Sequence, residues 1–315
     1  MRFFITGGAG FVGVNLIEYL SRSGNHRITV LDNEVLGKRQ HLDGMDVNFI
    51  HGDIRDIDLL NQSLPGHDAI IHLAADTRVL DSIENPAFNF DVNVNGTFCL
   101  LEAARQAGVD RFIAASTGGA IIGEAEPPVH EGMVPHPLAP YGASKMAMEG
   151  YLSAYAGSYG LRAVALRFSN IYGPRSFHKG SVVAAFMRRA LTGEPLVVYG
   201  DGTQTRDYLY VGDLVRGIVA AVEAGVSGVY QLGSGRPTDI NELIRQIESA
   251  MGLAGGELPV RYEPFREGEV RHTWCGIDNA RKAFGFDPAT PLKDGLATTW
   301  AWFQQQRVNG AGRHG

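Results

Sequence analysis

The chain begins with a strand-like run, Arg2–Thr6, that passes directly into T-G-G-A-G-F-V-G from Thr6 and then into a helical pattern. Val12, Leu16, Ile17 and Leu20 mark the apolar face of a helix over Phe11–Ser21. Strand, glycine turn and helix together open a crossover unit, and the same rhythm continues. Strands are predicted at Arg27–Leu31, Asn48–His51, Ala69–Leu73, Arg111–Ala115 and Ala163–Phe168. Helices are predicted near Ile57–Gln62, over Pro86–Ala107 and over Tyr141–Tyr159. Short apolar strands alternating with helices imply a parallel sheet covered on both faces, and right-handed crossovers wind it doubly. The expected fold class is α/β, a doubly wound, Rossmann-type sheet.

After Tyr172-Gly173-Pro174 the rhythm weakens. Helices are predicted at Val182–Thr192, Asp213–Ala224 and Ile240–Met251, and strands at Leu196–Tyr199 and Gly228–Leu232. Val260–Pro264 and Arg281–Phe284 are ambiguous. The expectation is a nucleotide-binding domain over 1–172, a smaller α/β substrate lobe over 173–307, and a flexible tail over 308–315. Part of 205–235 is expected to pack back on the first domain.

Composition narrows the function. A net charge of −6 and the lack of a basic run argue against a nucleic-acid surface. No stretch approaches the length of a membrane span, and the N-terminal apolar run is too short for a signal peptide, so a cytoplasmic location is expected. Cys99 and Cys275 are too few for a disulfide framework, and no metal site is expected.

The glycine turn points to a dinucleotide. A helix N-terminus offers unpaired N–H groups and the positive end of a dipole to a pyrophosphate. Gly7, Gly10 and Gly13, spaced G-x-x-G-x-x-G, allow a tight turn, close backbone approach and close helix packing. Asp32 follows roughly 20 residues later at the end of the second strand, where a carboxylate accepts from ribose hydroxyls. It would repel a 2′-phosphate, so NAD is favoured over NADP. The candidate cofactor wall runs through Gly7, Gly10, Phe11, Val12, Asp32, Asn33, Asp53, Ile54, Leu73, Ala74, Ala75, Asn93, Ala115 and Phe168. His72 reads as a satisfied core histidine.

The chemical residues follow. Tyr141 and Lys145 are one helical turn apart and share a face. A free phenol is a poor base at neutral pH, and an ammonium with a nicotinium ring nearby would favour its phenolate. Thr117, with Ser116 as the alternative, ends a strand and supplies a cleft hydroxyl. Phenolate, lysine and hydroxyl make a proton-relay group around a carbinol carbon.

With these residues in hand, the chain resembles the extended short-chain dehydrogenase/reductase family, in the branch acting on nucleotide sugars. The likeness rests on T-G-G-A-G-F-V-G, G-D-I, H-L-A-A, N-V-N-G-T, A-S-T-G-G-A, Y-G-A-S-K, R-F-S-N-I-Y-G-P, Y-G-D-G-T-Q-T-R-D-Y and R-E-G-E, and covers Met1 to about Phe303. It implies that Tyr141 is the base, that Lys145 holds the nicotinamide ribose, and that Thr117 bonds the reacting hydroxyl. It further implies that Asn170, Val183, Tyr199, Arg206, Arg266 and Glu269 meet the nucleoside diphosphate of a UDP-sugar. Arg78 or Arg175 would meet a carboxylated sugar. Partners are expected to be that substrate and a second copy, through a four-helix bundle of Pro86–Ala107 and Tyr141–Tyr159.

The chain departs from the family pattern at Ile122 and Phe168, where tyrosine is usual, and at Thr273, where some members carry a bulky residue. The expected activity is an NAD-dependent 4-epimerase of a UDP-hexose. A 4,6-dehydratase would usually need Asp-Glu after the threonine, where Gly118-Gly119 stands. A glucuronate-acting epimerase or decarboxylase and a non-catalytic NAD-binding scaffold are the other readings.

Overall fold

The computed structural model describes residues 1–265 and 270–311. Its centre is a seven-stranded parallel sheet. In chain order, β1 (Arg2–Thr6) leads to helix α1 (Phe11–Ser23), β2 (Arg27–Asp32), β3 (Asn48–His51), α2 (Ile57–Ser63) and β4 (Ala69–His72). Two short helices, α3 (Val79–Glu84) and α4 (Pro86–Phe90), precede a π turn at Asp91–Asn95 and helix α5 (Gly96–Ala107). Then come β5 (Arg111–Thr117), the single turn α6 (Gly119–Ile122), α7 (Pro140–Tyr159), β6 (Arg162–Phe168) and β7 (Asn170–Tyr172).

The remainder comprises α8 (Val182–Thr192), β8 (Leu196–Tyr199), β9 (Thr205–Arg206), β10 (Tyr208–Tyr210), α9 (Val211–Ala224), β11 (Gly228–Leu232), β12 (Thr238–Asp239), α10 (Ile240–Met251), β13 (Val260–Glu263), α11 (Asp278–Phe284) and α12 (Leu292–Ala311). The strand order is β11-β6-β5-β4-β1-β2-β3. The chain therefore reverses direction across the sheet between β1 and β4, which opens a crevice at their carboxyl ends. The continuous burial of β1, β2 and β4 follows from helices on both faces. One face packs Leu16, Ile17, Leu214 and Ile218 of α1 and α9. The other packs Leu100, Leu101, Met148 and Leu152 of α5 and α7.

A separate core of Phe186, Leu196, Val198, Leu243, Trp300 and Phe303 holds the second lobe together. There β8 and β13 pair in parallel, and α10 packs on α12. α9 and β11, from the latter half of the chain, belong to the sheet domain, because β11 pairs with β6 along its edge. The segment expected as a tail is helical through Ala311, and 312–315 lie outside the described residues.

The expected single helix over Pro86–Ala107 is interrupted by the π turn. One extra residue in a helical turn leaves the apolar periodicity on either side nearly intact, so the pattern conceals it.

Candidate active site

The glycine turn is built to receive a group at the end of β1. Gly7 has φ +69°, and a Cβ there would lie 2.6 Å from the backbone nitrogen of Ala74. Only glycine fits this approach of β1 to β4. Gly10 N donates to Gly7 O at 3.2 Å and marks the N-cap of α1, whose first turn carries Phe11 and Val12. The arrangement fits a dinucleotide pyrophosphate.

Asp32 ends β2 and is 7% exposed. One carboxylate oxygen accepts from Ala9 N at 3.0 Å and the other from Glu34 N at 2.8 Å. It thus anchors the glycine turn while each oxygen keeps a lone pair for a ribose hydroxyl. Burial raises its pKa above the usual carboxylate range, against the pull of these two bonds.

The neighbouring candidates are tied to one another and to Arg55. Asp53 accepts from Asn33 at 3.0 Å and pairs with Arg55 at 2.8 Å, which holds its pKa near about 2. Arg55 also reaches Asp91 at 2.6 Å. Asp53 and Asn33 therefore share a charged network at the end of β3. Ile54 is buried against Gly96. Leu73, Ala74 and Ala75 line the strand end after β4, partly buried.

Asn93, expected on the cofactor wall, is held by internal hydrogen bonds. It is 1% exposed in the π turn. Its amide donates to Asp76 O at 2.9 Å and Ser144 Oγ at 3.0 Å, and accepts from Asp76 N at 2.8 Å. It braces the loop after β4 against α7. His72 bonds Thr6 Oγ1 at 2.7 Å and Thr97 Oγ1 at 3.0 Å, and burial lowers its pKa to about 3, so it is a neutral core histidine.

α7 starts at Pro140, suited to the first helical position. Tyr141 N donates to Ser82 Oγ of α3 at 3.1 Å, which caps the helix from outside. Tyr141 is partly buried and Lys145 is 3% exposed. Lys145 Nζ donates to Ala115 O at 2.9 Å, which brings the helix to the end of β5. Thr117, the last residue of β5, is the register partner of Phe168 on β6.

Ser116, the alternative hydroxyl, lies on the opposite face, because successive strand residues alternate. Its Oγ donates to Glu149 Oε1 at 2.6 Å in the interior. Thr117, partly buried, lies on the other face of the strand.

The electrostatics of the free protein run against the expected lowering of the phenol. Burial pushes Tyr141 up to about 12, with Asp76 adding to the effect. Burial pulls Lys145 down to about 8, opposed by Glu149. A phenolate here requires the further positive charge of a bound nicotinamide.

The residues expected on the substrate side lie on separate elements. Asn170 is exposed at the start of β7, Tyr199 ends β8, and Arg206 lies on β9. Arg206 donates to Thr205 O at 2.8 Å and Arg271 O at 3.1 Å. Val183 is 1% exposed in the lobe core, with its backbone N–H in the first turn of α8. Arg78 is exposed and pairs with Asp81 at 3.5 Å. Arg266 and Glu269 lie outside the described residues.

Sequence reasoning passed over Glu149, Arg167 and Asp76. The signal for Glu149 was available: a carboxylate one turn past Lys145 on the same helix face. No group of three or more potential metal ligands occurs among the described residues.

The sequence model of the NAD dependent epimerase/dehydratase family matches residues 3–233. A UDP-glucose 4-epimerase of Mycolicibacterium smegmatis is 35% identical, covering 97% of this chain and 99% of that protein. The crystal structure of UDP-glucose 4-epimerase with UDP-glucose from Thermotoga maritima superposes with a TM-score of 0.91 at 37% identity, over 98% of this chain and all of that one. A dTDP-glucose 4,6-dehydratase of Streptomyces niveus is 34% identical over 98% of this chain and 94% of its own length. With a glycine turn shaped for the dinucleotide and a tyrosine-lysine pair at the adjoining strand end, this chain belongs to the NAD-dependent epimerase/dehydratase family.

Proposed function

We propose that the protein is a 4-epimerase of a UDP-hexose, with UDP-glucose and UDP-galactose as the pair it interconverts. The observation that carries this reading is Gly118. A Cβ there would lie 2.5 Å from Oε1 of Gln231, a residue with 0% exposure. Gly118 and Gly119 occupy the two places after the threonine, so the acid–base pair that an elimination usually needs there is absent, and a side chain at Gly118 would also require Gln231 to shift. The relatives named above support a nucleotide sugar, and the two epimerases among them support UDP-glucose.

The chemistry that a bound NAD would supply is reversible hydride exchange with the sugar carbon. The chain's own residues manage the proton and the pose. The Tyr141 phenolate removes the proton of the 4-hydroxyl, with the Thr117 hydroxyl bonded to the same oxygen. The Lys145 ammonium, fixed on Ala115 O, favours the phenolate. After the 4-keto sugar turns over in the cleft, Tyr141 returns the proton to the new 4-oxygen, so the product is an isomer. Lys145 and Asp32 hold the two riboses of the cofactor. Asn170, the α8 N-terminus at Val183, Tyr199 and Arg206, with Arg266 and Glu269, hold the nucleoside diphosphate.

The reading extends to assembly. Leu80, Ile83, Phe90, Phe98 and Tyr151 are 68, 56, 60, 40 and 42% exposed on α3–α5, the π turn's flanks and α7. An apolar face of this extent suits a second copy, with the α5 and α7 helices forming a four-helix bundle about a twofold axis. A cytoplasmic setting follows from the substrate.

The test is to incubate purified protein with UDP-glucose, UDP-N-acetylglucosamine and UDP-glucuronate without added NAD, and to read the products by NMR. UDP-galactose from UDP-glucose at unchanged mass is expected. Loss of water or carbon dioxide would move the protein to the lyases.

A further inference from the structure

Tyr141, Lys145 and Glu149 occupy successive turns of α7 and form one stripe facing the ends of β5 and β6. Glu149 is 8% exposed, and its ion pair with Arg167, 3% exposed, is buried. The carboxylate accepts Arg167 Nε at 2.9 Å and a terminal guanidinium nitrogen at 2.7 Å, a two-pronged contact. It also accepts the Ser116 hydroxyl at 2.6 Å. Ser116 and Arg167 are register partners on adjacent strands. Ser116 stands between Ala115, whose carbonyl holds Lys145, and Thr117. A buried ion pair adds little stability over an apolar pair of the same volume, so its placement under the active site calls for another role.

We propose that Glu149 is a positioning residue of this site: it ties the ends of β5 and β6 to the helix that carries Tyr141, and its charge stabilises the Lys145 ammonium beside that phenol.

Burial favours loss of the Lys145 proton and opposes ionisation of Tyr141, so both charged forms need a compensating charge. A lysine that is already neutral cannot stabilise a phenolate. Glu149 is the charge that opposes this loss. The other groups around the pair do not replace it. His72 is neutral, Asp76 disfavours the phenolate, and Arg167 stands beyond the Glu149 carboxylate. Asp81 and Glu84 of α3, Asp91 of the π turn, and Glu102 and Arg105 of α5 lie on the outer surface. Tyr155 of α7 bonds Glu102 there. Arg111 and Arg162 sit at the opposite ends of β5 and β6.

The proposal rests on Tyr141 as the base, and its test needs no sugar. Absorbance at 295 nm is followed against pH for NAD-loaded protein, and the Tyr141→Phe variant is subtracted to isolate one phenol. Glu149→Gln is expected to raise the Tyr141 midpoint by about one pH unit. Lys145→Met should raise it too, and Glu149→Gln in that background should move it no further, because Glu149 acts through the lysine. Glu149→Asp should recover part of the shift. A midpoint that Glu149→Gln leaves in place, or shifts equally with and without Lys145, overturns the proposal. If Glu149→Gln fails to fold with Arg167 uncompensated, the neutral pair Glu149→Gln/Arg167→Gln carries the same measurement. With UDP-glucose, kcat should fall about tenfold at an unchanged KM. Absence of turnover in the unmodified protein would count against the epimerase reading alone, and the phenol titration would still decide the role of Glu149.

Discussion

At the scale of the residue, the proposed chemistry centres on one phenol, that of Tyr141. Tyr141→Phe keeps the ring and its packing and removes only the ionisable oxygen. Turnover is expected to fall roughly 10²–10⁴-fold with the melting temperature unchanged. An NMR product assay beside a thermal melt checks this, and surviving activity would reassign the base. The Asp32 carboxylate anchors Ala9 N and Glu34 N, and in the proposed reading it also meets the ribose. Asp32→Ala should weaken NAD more than NADP in a direct binding titration. Equal losses would confine Asp32 to bracing the turn. Tyr141 and Lys145 were legible because one helical turn separates them. The division of labour between Ser116 and Thr117 was not, because alternation places them on opposite faces and only the packed helix shows which face is the cleft.

At the scale of the element, the glycine turn shows how little side-chain volume the site tolerates. Gly7→Ala would place a methyl 2.6 Å from Ala74 N at a φ of +69°. A loss of about 1–3 kcal/mol in denaturant unfolding is expected, together with loss of bound NAD from the purified protein. Full retention of NAD would mean that β1 and β4 can separate there. Strands and helices of the first half were legible because buried parallel strands are continuous apolar runs and their covering helices are amphipathic. The π turn was not. Its effect is to bury Asn93 between Asp76 and Ser144, a consequence of contacts made far along the chain. β9 and β12, two residues each, carry too little pattern to be read, and they pair only because Thr205–Arg206 and Thr238–Asp239 are brought together.

At the scale of the whole molecule, two cores are joined where the chain returns from the second lobe to the sheet. Asp207 accepts from Ser234 N at 2.6 Å, Gly235 N at 3.1 Å and Cys275 N at 3.1 Å, and so ties three distant segments at that junction. The exposed apolar helices offer the opposite kind of surface, one without such internal closure. Leu80→Asp combined with Phe90→Asp is expected to shift the particle from dimer to monomer in light scattering. An unchanged mass would place the interface elsewhere. Local order alone determined the parallel α/β architecture, the glycine turn with its acidic partner and the tyrosine-lysine stripe, because each lies within one turn or one crossover unit. Tertiary structure decided what surrounds them. The contacts that join Ser116, Glu149 and Arg167 across separate elements, and that set Gln231 against Gly118, exist only once strands and helices far apart in sequence are packed against each other.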